Sequence, residues 1–269
     1  DGVESVFHLG GKADTVSKQK SDESEYFRVN TEGTRRVLEL AKLSGVKRFV
    51  FFSTIKAMSR SDPSQRWHEI PSRPWNESDY IDPDTPYGRS KRAAEQLVLE
   101  GGYVQEPVVL RLCPVYGRGN KGYLQQMLAA VHRRYFPPLP NIPNRRSMIH
   151  VLDVLEAAIL ASTHPAAQAE RFIVSDGRDY STHEILALMH DALGMAMPRW
   201  HVPTTVLKIA GRLGDWAGRL QGRRFLFDSE MLLKLLGSAW YSSEKIQTRL
   251  GFRPQWDLAQ ALAEMIAEL

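Results

Sequence analysis

The chain has 269 residues, 43% hydrophobic and 25% charged, which suits an ordinary globular protein of one large domain or two unequal ones. No apolar run approaches the ~18–20 residues of a membrane-spanning helix, so stable membrane insertion is not expected. Cys113, the only cysteine, can form no disulfide within the chain and argues against a cysteine-based zinc site; no metal site is expected, and a reducing cytoplasm fits. The formal charge of +4 is mild, and the Arg pairs at 133–134, 145–146 and 223–224 are scattered, which suits anionic small molecules rather than a nucleic acid.

Val3 to Leu9 (VESVFHL) predicts a buried strand ending in Gly10-Gly11, and the polar residues 12–25 predict a loop. Asn30-Thr31 can cap a helix over 31–44, with Val37, Leu40, Ala41 and Leu43 as its apolar face and Gly45 at its end. Val46 to Ser53 (VKRFVFFS) predicts a strand that is nearly all apolar in its second half, as in parallel sheets covered on both faces. Residues 59–86 hold five prolines and read as a loop of the kind that carries active-site groups. A helix over 87–100 stops at Gly101-Gly102, and strands follow at Val108–Cys113 and Arg171–Ser175. Between those strands lie a helix over 123–134, a Pro-rich stretch over 137–143 and a helix after His150. Ser181-x-x-Glu184 is a capping box for a helix over 182–193, a basic amphipathic helix covers 204–221, and Asp257 caps the last helix. Strands alternating with helices mean an α/β fold with a mostly parallel sheet, and the insertions of the second half suggest a smaller lobe beside it.

Tyr87-Gly88-Arg89-Ser90-Lys91 concentrates the chemistry. On a helix opened by Thr85-Pro86, residues i and i+4 share a face, so Tyr87 and Lys91 point the same way. A free phenol has a pKa of about 10 and is a poor base at neutral pH, and a nearby cation favours its phenolate. Thr54, at the end of the apolar strand, can hold a substrate oxygen beside that phenol. A lone Tyr-x-x-x-Lys also arises by chance as a surface pair, so the context decides.

That context is a series of segments in order along nearly the whole chain: VFHLGG, VNTEGT, VFFST, PYGRSK, LRLCPVYG, RRSMIHVLDV, RFIVSDG and LGFRPQWDL. Together they resemble the extended short-chain dehydrogenase/reductases, specifically the NAD-dependent epimerase/dehydratase family. LPNIPNRRSMIHV is similar to a bacterial subgroup of nucleotide-sugar 4-epimerases and 4-ketoreductases. The resemblance implies a Rossmann-like doubly wound parallel sheet with a smaller C-terminal substrate lobe. Residues 1–118, rejoined by 151–178, would form the dinucleotide-binding part, and 119–150 with 179–269 the substrate lobe. It implies NAD or NADP as cofactor, a UDP-hexose type of nucleotide sugar as substrate and a homodimer as assembly.

By the same resemblance, Tyr87 is the acid/base, Lys91 binds the nicotinamide ribose and Thr54 hydrogen-bonds the reacting oxygen. Leu9, Gly10, Asn30, Ser53, Pro114 and Val115 match positions along the cofactor, and Tyr87 borders it as well. For Ser53 a structural role is the plainer reading, and for Asn30 a plain helix cap stands beside the cofactor role. Arg146 matches an arginine that grips the sugar diphosphate, and Arg145 could do the same.

The chain also departs from the family. It lacks the G-x-x-G-x-x-G turn that holds the pyrophosphate, so roughly two β-α units of the dinucleotide half are expected to be missing, with a fragment of a longer protein the favoured explanation. Ile55-Lys56 stand where sugar 4,6-dehydratases carry Asp-Glu, which argues against dehydration. Cys113 replaces the asparagine of many 4-epimerases, and Met58-Ser59 a commoner Tyr-Gly. Two rival readings remain: a 3β-hydroxysteroid dehydrogenase-like enzyme, supported by the apolar segment WHVPTTVLKIAGRLGDW, and a non-catalytic remnant. His8 and His150 read as core or hydrogen-bonded histidines, and Cys113 as inert. The amphipathic helix, with Leu207, Ile209, Leu213, Trp216 and Leu220, is expected to pack on the substrate lobe rather than to touch a membrane.

Overall fold

The computed structural model describes residues 2–13, 22–58, 71–79, 82–221 and 229–269. Residues 59–70 and 80–81 of the predicted loop over 59–86, part of that over 12–25 and the Arg pair at 223–224 lie outside the described residues, as does the side chain of Leu220.

Strand β1 is Ser5–His8. The following helix starts earlier than predicted: α1 (Glu23–Tyr26) is capped by Asp22, whose side chain accepts from the Ser24 amide. It runs through a wide π turn, Phe27–Glu32, into α2 (Gly33–Leu43). Asn30 therefore lies inside the helix and caps nothing. Asp22 supplies the competing cap, and the acidic first turn of Glu23 and Glu25 suits a helix N-terminus. Gly45 does adopt the left-handed conformation expected of it, with φ 68°.

Strand β2 (Arg48–Thr54) leads into a 3₁₀ turn, Ile55–Met58. α3 (Pro86–Glu100) begins at the Thr85 cap, and β3 (Glu106–Leu112) and the short β4 (Val115–Tyr116) follow. α4 (Tyr123–His132), β5 (Arg146–Ser147), β6 (Ile149–His150) and α5 (Val151–Thr163) come next. β7 (Glu170–Val174), β8 (Asp179–Tyr180) and α6 (Thr182–Ala192) lead to the C-terminal helices α7 (Thr204–Gln221), α8 (Ser229–Leu236), α9 (Glu244–Leu250) and α10 (Leu258–Ile266). Ser181 caps α6, and Asp257 with Gln260 forms a complete capping box on α10.

β1, β2, β3 and β7 form one parallel sheet in that order. Both faces of its centre are buried. On one, α2 and α3 pack Leu38, Ala41, Ala94 and Val98 against Phe49, Phe51 and Val109. On the other, α5 and α9 bring Val154, Ala157, Ala158, Ile246 and Leu250 onto Val50, Val108, Leu110 and Ile173. Helices on both faces make the sheet doubly wound, as expected. A third core, built from α4, α6, α8, α10 and Leu207 of α7, belongs to the C-terminal half. β1 departs from the prediction of a buried strand, since Phe7 is exposed within it and Val3 and Leu9 beside it. It pairs with β2 alone, so its other edge has no neighbour among the described residues.

α7 also departs from expectation. Leu207 and Gly211 face the protein, but Val206, Ile209, Leu213 and Trp216 are exposed.

Candidate active site

The carboxyl ends of β1, β2 and β3 bring the candidate residues to one edge of the sheet, the place where open parallel sheets bind ligands. At the end of β2, alternation sends Ser53 and Thr54 to opposite faces. Ser53 is buried, and its hydroxyl donates to Glu95 Oε1 at 2.5 Å. Arg111 Nη2 donates to the other oxygen of Glu95 at 2.6 Å, with both charges buried and paired. Ser53 thus belongs to an internal network. Thr54 is half-buried, and its Oγ1 accepts the Lys56 amide at 3.2 Å.

α3 carries the other two groups. Thr85 accepts the Gly88 amide at 3.0 Å and Pro86 takes the first turn, where its missing N–H costs nothing. Tyr87 is half-buried, its ring centroid 6.1 Å from that of Tyr26. One turn on, Lys91 is buried; its Nζ donates to the Phe52 carbonyl at 2.7 Å and lies 4.0 Å from the Phe51 ring centroid. Burial lowers the Lys91 pKa to about 8, opposed by the charge of Glu95.

Gly88 explains how the helix comes so close. A Cβ at this position would run into the Lys56 carbonyl oxygen and stand 2.9 Å from the Pro83 Cβ, so only glycine lets the first turn of α3 rest on the turn after β2. Tyr87 and Thr54 are brought to the same edge by that contact.

Asn30 is buried in the π turn, and its side chain bonds towards this region. Its Oδ1 accepts the Lys12 amide at 2.7 Å, and its Nδ2 donates to the Lys12 carbonyl at 3.1 Å and to Ser90 Oγ at 2.9 Å. The Ser90 hydroxyl in turn donates to the Tyr87 carbonyl at 2.8 Å. Leu9 and Gly10 are exposed just beyond β1. Next to them, a Cβ on Gly11 would lie 3.0 Å from Asn30 Oδ1 and 3.9 Å from Lys91 Nζ. On the far side, the Pro114 carbonyl accepts the Ile149 amide at 3.1 Å, and Val115 opens β4 opposite Ile149.

The donor set fits the nicotinamide ribose that the resemblance implies. An ammonium has three N–H groups, and Phe52 takes one. Gly11 leaves an open cradle above Asn30 and Lys91, bordered by the exposed Leu9 and Gly10.

Arg145 and Arg146 are not alike. Arg145 is exposed, paired with Asp179 at 3.2 Å and stacked 4.4 Å from the Trp240 ring centroid. Arg146 is buried, donating to the Gly237 carbonyl at 3.2 Å, 5.4 Å from the Tyr123 ring centroid. His8 bonds the Thr34 hydroxyl at 3.1 Å, and burial with the Lys91 charge lowers its pKa. His150 is buried against Trp256, with ring centroids 4.6 Å apart. Burial pushes the Cys113 thiol well up, so it is no nucleophile. The positioning residues Gly88, Ser90 and Gly11 were overlooked by sequence reasoning; their only signal was a glycine beside Tyr87, a serine beside Lys91 and the second glycine after β1.

A model of the NAD dependent epimerase/dehydratase family matches residues 1–175. UDP-glucose 4-epimerase of Vibrio cholerae is 28% identical over 263 residues, 96% of this chain and 74% of the relative. The N-acetyl-alpha-D-glucosaminyl-diphospho-ditrans,octacis-undecaprenol 4-epimerase of Escherichia coli is 24% identical, over 90% of this chain and 71% of its own length. The 3-beta-hydroxysteroid dehydrogenase of Mycolicibacterium neoaurum is 23% identical over 98% and 74%. Among solved structures, UDP-glucose 4-epimerase of Thermotoga maritima with UDP-glucose superposes with a TM-score of 0.72 at 21% identity, covering 98% of this chain and 76% of that one.

Proposed function

The chain belongs to the NAD dependent epimerase/dehydratase family, and from that premise we propose that it is a 4-epimerase or 4-ketoreductase of a nucleotide-linked hexose. The observation that carries this reading is the placement of Lys91. Its ammonium is held on the Phe52 carbonyl, two residues before Thr54 at the end of β2, and it shares a helix face with Tyr87.

In this reading Tyr87 takes the proton of the sugar 4-hydroxyl, and Thr54 Oγ1 holds the same oxygen by a hydrogen bond. The Lys91 charge favours the phenolate that accepts the proton. NAD or NADP, when bound, supplies hydride acceptance and return. Leu9, Gly10, Asn30, Pro114 and Val115 border it, and Lys91 offers its remaining N–H groups to the ribose hydroxyls. In an epimerase, Tyr87 returns its proton to the oxygen of the inverted sugar; in a reductase, it protonates a keto sugar. Arg146 grips the diphosphate from the lobe formed by 119–150 and 179–269, while 1–118 and 151–178 carry the cofactor side, and the assembly is a homodimer.

The relative from Escherichia coli, by its name, acts on a sugar diphosphate joined to a polyprenol, and that diphosphate would suit the same arginine. A second reading, a sterol dehydrogenase, is favoured by the exposed apolar face of α7. The experiment is a panel of UDP-hexoses, UDP-linked 4-keto sugars and 3β-hydroxysterols with each nicotinamide nucleotide, following both cofactor absorbance and sugar inversion. Turnover of sterols alone would replace the sugar reading with the second one.

A further inference from the structure

α7 uses one side to join the lobe. Leu207 is buried in the third core, Gly211 lies where an added Cβ would come within 3.4 Å of the Ser229 Cα, and Asp215 Oδ2 receives the Ser229 hydroxyl at 2.6 Å. The other side carries Val206, Ile209, Leu213 and Trp216, each 51–62% exposed. At about 100° per residue these four fill an arc of about 80°, a single stripe along the helix. Arg212 stands about 40° beyond the Trp216 edge of that arc. Trp200, 66% exposed, lies in the segment that leads into the helix.

An apolar stripe with a cationic border is the pattern of a helix that lies in the headgroup plane of a membrane, its tryptophans at the boundary between chains and water. α5 also leaves Leu152, Leu155 and Ile159 exposed, but it carries Glu156 beside them. Two copies of α7 packed antiparallel, stripe to stripe, would bring the Arg212 edges together, whereas anionic lipid neutralises them. The +4 charge of the chain acts in the same direction. We propose that α7 docks the protein on an anionic lipid bilayer as a peripheral contact. This goes beyond the reaction and does not depend on it.

The test is flotation of the full chain with vesicles of equal parts phosphatidylglycerol and phosphatidylcholine, beside vesicles of phosphatidylcholine alone. The protein is expected to float with the anionic vesicles and to be released as salt rises from about 0.1 M to about 1 M. Leu213→Ser with Trp216→Ser should reduce partitioning by about tenfold or more, and Arg212→Glu should reduce it on anionic vesicles without touching the stripe. These side chains are exposed, so unchanged circular dichroism and melting are expected of both variants. Absence from anionic vesicles, or undiminished binding of the double variant, would overturn the proposal. So would a dimer, seen by sedimentation, that the double substitution dissociates, because the stripe would then belong to a second copy.

Discussion

The amide nitrogen of Asn30 donates to the Ser90 hydroxyl at 2.9 Å, joining the π turn to the helix that carries Tyr87 and Lys91 across 60 residues of sequence. Both side chains are buried, and the same serine donates to the Tyr87 carbonyl. Asn30→Ala strands the Lys12 amide and carbonyl as well, so it should cost about 1–3 kcal/mol of stability. Ser90→Ala should cost about 1 kcal/mol, and the double variant less than the sum, because the two share one bond. Urea unfolding of the four proteins measures this coupling, and strict additivity would show that the bond does not hold the two segments together.

Tyr87→Phe removes one hydroxyl from a half-buried ring and leaves the Lys91 contacts in place. Turnover of the responsive nucleotide sugar should fall by about 10²–10⁴-fold, the usual contribution of a positioned acid or base. Nicotinamide nucleotide affinity, read by calorimetry, should stay within about threefold, since the variant keeps the ring and every other group assigned to the cofactor, Lys91 among them. Full turnover in this variant would remove Tyr87 from the chemistry.

Lys91 predicts a pH dependence with a definite sign. Its folded pKa of about 8 lies below the 10.5 of a free lysine, because burial disfavours the ammonium. Below pH 8 folded and unfolded chains both hold the proton, and the cost of burying the charge is fully present. Between pH 8 and 10.5 the folded protein releases its proton first, so this cost is relieved as pH rises. Lys91→Met should therefore be more stable than the parent at pH 7, by at most about 3 kcal/mol. That advantage should shrink from pH 8 to 10.5 while turnover is lost at all pH values. Melting curves across this window decide it, and an advantage that does not change with pH would mean that Lys91 is not held charged at a cost.

Gly88→Ala tests the close approach of α3 to the turn after β2. The added methyl meets the Lys56 carbonyl, a backbone atom that cannot rotate aside. The helix must shift, which should cost about 1–3 kcal/mol and move Tyr87 relative to Thr54, lowering kcat by up to about 10². A crystal structure of the variant with α3 unmoved would refute this account.

The sheet and its two helical layers were legible because apolar runs such as VFFS and VVL mark strands covered on both faces, and the caps Thr85, Ser181 and Asp257 are local signals. Tyr87, Lys91 and Thr54 were legible as a set through spacing and order. Less legible was anything that depends on a distant partner. Asn30 looked like a cap because its bonds to Lys12 and Ser90 cannot be seen in its neighbours, and the start at Asp22 was hidden in a polar stretch. The structural reading of Ser53 was legible beside Thr54, but its partner, Glu95 some 42 residues on, was not. The burial of β1 was overstated because an apolar strand does not reveal how many neighbours it has.

The same separation distinguishes Arg145 from Arg146, and the difference can be measured. Arg146 is buried beside Tyr123, a setting in which a guanidinium bonded to a diphosphate is weakly competed by water. Arg145 already has Asp179 and the face of Trp240, and it stands in solvent, where charge pairs contribute little. Arg146→Ala should raise KM for a nucleotide sugar by about 10- to 100-fold, the loss expected for one or two charge-assisted hydrogen bonds, with a smaller change in kcat. Arg145→Ala should change KM by less than about threefold. Adding UDP alone as a competitive inhibitor separates grip from folding, because its inhibition constant should rise with KM in Arg146→Ala. If Arg145→Ala produces the larger increase, the diphosphate is held from the exposed side and the roles of the two arginines are reversed.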